Sequence, residues 1–97
     1  MPAFIILSSF TDQGVRAVKD TTKRAEKFKE LAKQHGATVK ELYWTLGQYD
    51  AIAVVDAPDV TSITALGLSL GIAGNVRTQT LPAFTADDMA KVLAKVK

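Results

Sequence analysis

Few residues of this chain carry side chains suited to chemistry, and they are scattered along it. Among 97 residues there is one histidine, His35, and no cysteine. The lack of cysteine excludes disulfides, thiolate nucleophiles and cysteine-ligated metals, and a single histidine argues against structural zinc. His35 stands before Gly36 at the end of a helical pattern, where a histidine usually caps the helix or is solvated. We predict no metal site, and no group of residues specifies a reaction or a cofactor.

Pro2 suggests one specific activity. If Met1 were removed, Pro2 would present an N-terminal secondary amine, the group that tautomerases use as a general base. Those enzymes repeat a strand, a helix and a parallel strand, whereas a turn at Gly47 predicts an antiparallel hairpin here. The predicted topology therefore argues against a tautomerase.

Three glycines, Gly67, Gly71 and Gly74, could suggest a nucleotide-binding loop. Their spacing matches neither the dinucleotide-binding fingerprint nor the P-loop, and no lysine follows them. We interpret them as small residues that allow a helix to pack closely.

The charged residues do not indicate a nucleic-acid partner. The formal net charge is +2, from 12 basic and 10 acidic residues. Residues 16–30 carry basic and acidic side chains on the outward face of a predicted helix, where Asp20 can pair with Arg24 four positions later. We interpret this stripe as a solvated helix face.

The chain has no predicted membrane segment or leader. No stretch approaches the roughly 20 apolar residues needed to span a bilayer, and residues 1–4 lack the basic segment that begins a signal peptide. We expect a cytoplasmic protein in which residues 1–97 form one domain.

A predicted hairpin organises the chain. Residues 42–46 alternate between two faces, and residues 51–55 are continuously apolar, as in a strand buried on both faces. Between them residues 47–50 read Gly-Gln-Tyr-Asp; Gly47 tolerates a positive φ, and Asp50 can accept backbone N–H groups of the turn. The sequence therefore predicts two antiparallel strands joined by a four-residue turn with Gly47 at positive φ.

The sequence Gly47-x-Tyr49-Asp50, with its flanking strands, resembles the motif of the GYD-domain family of small bacterial and archaeal proteins. The resemblance extends to residues 4–7 and 75–78, and so to nearly the whole chain. It implies a ferredoxin-like fold related to the dimeric α/β-barrel proteins, in a family whose biochemical role is largely unassigned. Gly47, Tyr49 and Asp50 would then form a structural motif.

The other elements agree with that fold. Residues 4–7 predict a central strand, and apolar residues at helical spacing from Val15 to Ala32 predict one long helix that ends at Gly36. An uncharged helix (60–73), an edge strand (76–81, ended by Pro82) and a last helix capped at Thr85 follow. The predicted class is α+β: a ferredoxin-like βαββαβ unit with an added C-terminal helix, in which a four-stranded antiparallel sheet has its first and third strands central.

The apolar surface predicts self-association. The two central strands are apolar at consecutive positions, yet helices cover only one sheet face, so the other face needs a partner. We predict a homodimer of the α/β-barrel type, or a larger closed homo-oligomer.

Two functions remain open. The first is a homo-oligomeric small-ligand-binding or structural domain, with polar contacts around an apolar cavity from Tyr43, Trp44, Tyr49, Arg77 and Gln79. The alternative, implied by the resemblance to the barrel superfamily, is an enzyme of the cofactor-independent monooxygenase or haem-degrading type. Trp44, Asn75 and His35 are residue types that such sites can use, but no known catalytic motif aligns with them.

Overall fold

A computed structural model describes residues 1–97 as one four-stranded antiparallel sheet with helices packed against it. The strand order is β2-β3-β1-β4, which confirms the predicted α+β fold with the first and third strands central. In chain order the elements are strand β1 (Ala3–Phe10), helix α1 (Asp12–Arg16), a short 3-10 helix (Val18–Asp20), helix α2 (Thr21–Gln34), strands β2 (Thr38–Trp44) and β3 (Ala51–Asp56), helix α3 (Val60–Ala73), strand β4 (Val76–Ala83) and helix α4 (Ala86–Leu93).

The core lies between one face of the sheet and helices α2 and α3. Because side chains alternate along a strand, Phe4 and Ile6 of β1 point into this core, while Ile5 and Leu7 point to the opposite face and are only half-buried. The fully packed core residues come from both central strands, both helices and the loops beyond them: Phe4, Ile6, Phe28, Ala32, Ala37, Ala53, Val55, Ala57, Ile63 and Leu66.

The predicted single long helix is wrong, because the chain breaks at Ala17 between α1 and α2. Ala17 leaves the helical region (φ −105°, ψ 25°). The Arg24 guanidinium donates to two carbonyls at this break, Nη1 to Ala17 O at 2.6 Å and Nη2 to Gly14 O at 3.3 Å. Val15 and Val18, predicted on the apolar stripe, are therefore exposed.

The connection between β2 and β3 is longer than predicted. Six residues, 45–50, lie outside the strands rather than four, because Thr45 already bonds within the loop, its hydroxyl to the Tyr49 carbonyl at 2.6 Å and its amide to the Asp50 carbonyl at 2.9 Å. Gly47 has φ 110°, which confirms the predicted positive φ. The Asp50 carboxylate, predicted to accept amides of the turn, instead accepts the Phe10 amide at 2.7 Å. The Asp50 side chain thus links the hairpin to the end of β1 by a hydrogen bond.

Gly47→Ala should lower the free energy of unfolding by about 1 kcal/mol or more, because an alanine rarely adopts this φ. No atom lies within 4 Å of a Cβ built at Gly47, so the backbone conformation alone accounts for the cost. Urea denaturation measures it, with the exposed Gln48→Ala as a control expected within about 0.5 kcal/mol of wild type. Equal midpoints for the two variants would contradict the role assigned to this φ.

Helix α3 has the predicted bounds because both of its ends carry strong signals. The Asp59 side chain accepts the Ser62 amide at 2.7 Å, and Gly74 ends the helix at φ 84°. The hydrogen bond from the Ser62 amide holds the pKa of Asp59 below its ordinary value. This cap therefore stabilises the helix above the ordinary carboxylate pKa, and the contribution is lost as the pH falls through the lowered value.

The predicted close packing of helix α3 through its glycines is wrong for Gly71. No atom lies within 4 Å of a Cβ built there, whereas at Gly67 only the Thr78 hydroxyl lies nearby, at 3.8 Å. The outward side chains Leu68 and Ile72 are 67% and 88% exposed. The uncharged outer surface of α3 is thus unpaired within this chain.

Strand β4 continues past the residue predicted to end it. Pro82 lies inside the strand opposite Phe4, which an edge strand permits because one side of its backbone needs no hydrogen bonds. Thr85 then caps α4 as predicted, in a reciprocal bond pair with Asp88. The apolar stripe of α4 (Met89, Val92, Leu93), continued by Val96, stays exposed. None of the helices has both the length and the apolar character needed to cross a membrane.

Candidate functional site

Tyr43, Arg77 and Gln79, three of the five predicted ligand-binding residues, lie on the face of the sheet that no helix covers, here called the open face. Tyr43 of β2 pairs with Ile52, Gln79 of β4 pairs with Leu7, and Arg77 pairs with Ser9. Directly paired residues of antiparallel strands point to the same face. The open face therefore has an apolar centre on the two inner strands and polar side chains toward both edges.

Tyr49 reaches this face from the loop. Its hydroxyl donates a hydrogen bond of 2.8 Å to Gln79 Oε1, so the β2–β3 loop is bonded to strand β4 at the far edge of the sheet. On the same side, the Ser9 hydroxyl donates to the Gln48 carbonyl at 3.2 Å. These bonds order one rim of the open face.

Trp44, the fifth predicted residue, lies on the opposite side of the sheet. It pairs with Ala51, and its indole Nε1 donates to the Thr21 hydroxyl of α2 at 3.0 Å. The structure thus brings Tyr49 and Gln79 together on one face and separates Trp44 from them. A shared ligand contact by all five residues stays a prediction, and this geometry gives no support for it.

The side of the sheet that carries Trp44 contains a cavity of about 350 Å³ between α2 and α3. The two helices pack over the sheet at one end, where Ala32 and Ile63 are fully buried. Toward the N-terminus of α2 and the C-terminus of α3 the space between them opens. Small side chains on the strands below, Ser8, Ala51 and Ala53, leave it unfilled.

The cavity is mainly apolar, with a few polar groups at its open end. Its lining residues include Ile6, Phe28, Leu42, Leu70 and Val76, and the polar residues Thr21, Arg24, Asn75 and Ser69. The Asn75 carboxamide oxygen accepts from Gln13 Nε2 at 3.0 Å, and the Ser69 hydroxyl donates to its own helix at 2.9 Å. A concave, apolar site with a few placed polar groups is the usual form of a small-molecule site.

Sequence reasoning missed Arg24 and Thr21 as cavity residues. Arg24 was predicted on the outward face, paired with Asp20, yet the one ion pair in the chain joins Lys29 to Glu26. A signal was present: Thr21, Arg24 and Phe28 recur at the helical spacing that continues to Leu31, which faces the core. His35, by contrast, ends α2 at the closed end and does not line the cavity.

Comparison with known proteins places the chain in a family. The GYD domain model matches residues 4–93. A curated relative from Thermus thermophilus, named glutamine synthetase and cystathionine beta-lyase binding protein, is 38% identical over 90 residues, which is 92% of this chain and 95% of that protein. The crystal structure of TTHA0845 from the same organism is similar at a TM-score of 0.53 and 27% identity, covering 89% of this chain and 96% of that one. The chain belongs to the GYD domain family.

Proposed function

We propose that this protein is a homo-oligomeric binding protein that docks on enzymes of amino-acid metabolism, with glutamine synthetase and cystathionine beta-lyase as the first candidates. The similarity over nearly the whole length of a relative named for binding these two enzymes supports the choice of partner. The observation that carries the proposal is the apolar surface that no part of this chain covers, half-buried on the open face and exposed on α3.

The open face fits a second copy of the same chain. Four strands of six to eight residues, about 4.8 Å apart, cover roughly 450 Å² in projection, and the accessible area of a corrugated face is larger. That approaches the roughly 800 Å² per partner of a stable interface. Ile5, Leu7, Ile52 and Val54 supply the apolar centre, and we assign Tyr43, Tyr49, Arg77 and Gln79 to its polar rim.

The outer surface of α3 fits the enzyme partner. Leu68 and Ile72 are exposed on a helix that carries no charged residue, and Thr61 and Thr64 continue the same stripe at helical spacing. Depletion of charge at an apolar centre is typical of protein interfaces. The surface lies on the helix layer, so it stays accessible when two copies pack through their sheets.

Leu68→Glu should weaken binding to purified glutamine synthetase or cystathionine beta-lyase by at least about tenfold, because truncating or charging a central apolar anchor costs upwards of about 2 kcal/mol. Binding is measured by calorimetry with both enzymes taken from the organism that supplies this chain. Gln34→Glu adds the same charge at an exposed position of α2 and is the matched control. No binding of wild type to either enzyme, or equal loss in both variants, would reject the proposal.

An enzyme of the cofactor-independent monooxygenase type is the second candidate, and one observation favours it. Trp44 and Asn75, two residues that such a site could use, line the same cavity, which is large enough for an organic substrate. Dioxygen uptake with a reduced quinone as substrate is the test. The enzyme hypothesis expects uptake that Trp44→Phe strongly reduces, and no uptake above the protein-free rate counts against it.

A further inference from the structure

The cavity between α2 and α3 is lined by cationic side chains and by no anionic ones. Among its 19 lining residues there is no aspartate or glutamate, and its two ionisable side chains, Arg24 and Lys27, are both cationic. Lys27 is exposed and can be solvated, whereas Arg24 is half-buried. Within a mainly apolar wall, the field of these two cations favours a negative charge.

Arg24 has bonding capacity left over. A guanidinium has five N–H donors, and the hydrogen bonds to the Ala17 and Gly14 carbonyls use two of its nitrogen atoms. Both acceptors are neutral, and no carboxylate of the chain pairs with Arg24. These two bonds also fix the side chain, so that a partner would meet a positioned donor group with little loss of side-chain entropy.

The other lining residues and the cavity volume indicate what kind of apolar group the ligand carries. Phe28, Leu31, Leu42 and Leu70 line the cavity with alkyl and aromatic surface, and the exposed edge of Trp44 stands at its open end. The volume of about 350 Å³ lies near the lower limit of roughly 300 to 1,000 Å³ for small-molecule sites. That size suits one ring or one branched chain, and not an extended cofactor.

We propose that this cavity binds a small organic monocarboxylate with a single aromatic ring or branched chain, its carboxylate on the Arg24 guanidinium and its body between α2 and α3. The site is separate from the open face and from the outer surface of α3. It gives this binding protein a place to sense a small acid while both protein interfaces stay occupied.

Trp44 provides the measurement, because it is the only tryptophan of the chain and lines the cavity. The full-length protein is titrated with phenylacetate, with its neutral amide phenylacetamide, and with the cation phenethylamine, while Trp44 fluorescence is followed. We expect a saturable change with phenylacetate and binding of the amide about tenfold weaker, since a charge-assisted hydrogen bond is lost. The cation should bind weakest.

Two variants assign the effect to the site. Arg24→Gln should remove the preference for the carboxylate over the amide. Arg16 is an exposed arginine of α1, and Arg16→Gln should leave the preference unchanged.

Because Arg24 also binds two carbonyls, Arg24→Gln could fail to fold, and Ala25→Leu provides an independent test. It fills the cavity from α2 and should abolish binding of both phenylacetate and its amide. Equal affinity for acid and amide, tighter binding of the amine, no saturable signal, or unchanged binding in Ala25→Leu would overturn the proposal.

Discussion

Val55→Lys is expected to leave no folded protein, whereas Val54→Lys, one residue earlier on the same strand, is expected to give a folded monomer. Val55 is fully buried in the core under the helices, and Val54 points to the open face. An unpaired charge in the core costs several kcal/mol, which is comparable with the roughly 5 to 15 kcal/mol that stabilises a whole domain. On the open face the same ammonium group stays in water unless a second copy covers it.

Circular dichroism and sedimentation velocity at micromolar concentration separate the two outcomes. The wild type should sediment as a dimer or larger assembly with a native helical spectrum, and Val54→Lys should keep the spectrum and lose the assembly. Val55→Lys should lose both. A wild-type monomer, or a Val54→Lys variant that still assembles, would contradict the proposed sheet-to-sheet packing.

The sequence predicted best the elements whose ends carry local chemical signals. Helix α3 starts and stops where Asp59 and Gly74 indicate, and the apolar residues 4–7 form a central strand as predicted. The break at Ala17 was missed because it depends on a tertiary contact, the capture of two α1-end carbonyls by Arg24. The register shift at Lys40 in β2 was missed for a similar reason, since a bulge is fixed by the partner strand.

The site was predicted less completely than the fold. Aromatic and polar residues near the hairpin were selected by type, but alternation along β2 puts Tyr43 and Trp44 on opposite faces of the sheet. The cavity itself arises where α2 and α3 separate above small residues such as Ala51 and Ala53. The distance between two helices is not encoded in any local sequence pattern, so the cavity could not be located from residue types alone.

Gly14→Ala is expected to be the most destabilising of the glycine substitutions, and Gly71→Ala the one that stabilises. A Cβ at Gly14 would overlap the carbonyl oxygen of Asn75, a backbone atom held in place by the Thr11 amide at 3.1 Å. The Thr11 hydroxyl also donates to the Gly74 carbonyl at 2.6 Å. The start of α1 and the end of α3 therefore cannot separate without losing both bonds.

Forced overpacking of this kind costs about 1 to 3 kcal/mol, and each of the two hydrogen bonds lost adds about 1 kcal/mol, so Gly14→Ala should destabilise by about 3 to 5 kcal/mol. Gly71 lies in helix α3 with open space around it, where alanine replaces glycine with a gain of about 0.5 to 1 kcal/mol. Urea denaturation of the two variants measures both shifts in one experiment. Since Asn75 lines the cavity together with Trp44, Gly14→Ala should also alter Trp44 fluorescence. An unchanged midpoint in Gly14→Ala would contradict the tight contact assigned to Gly14 and the Asn75 carbonyl.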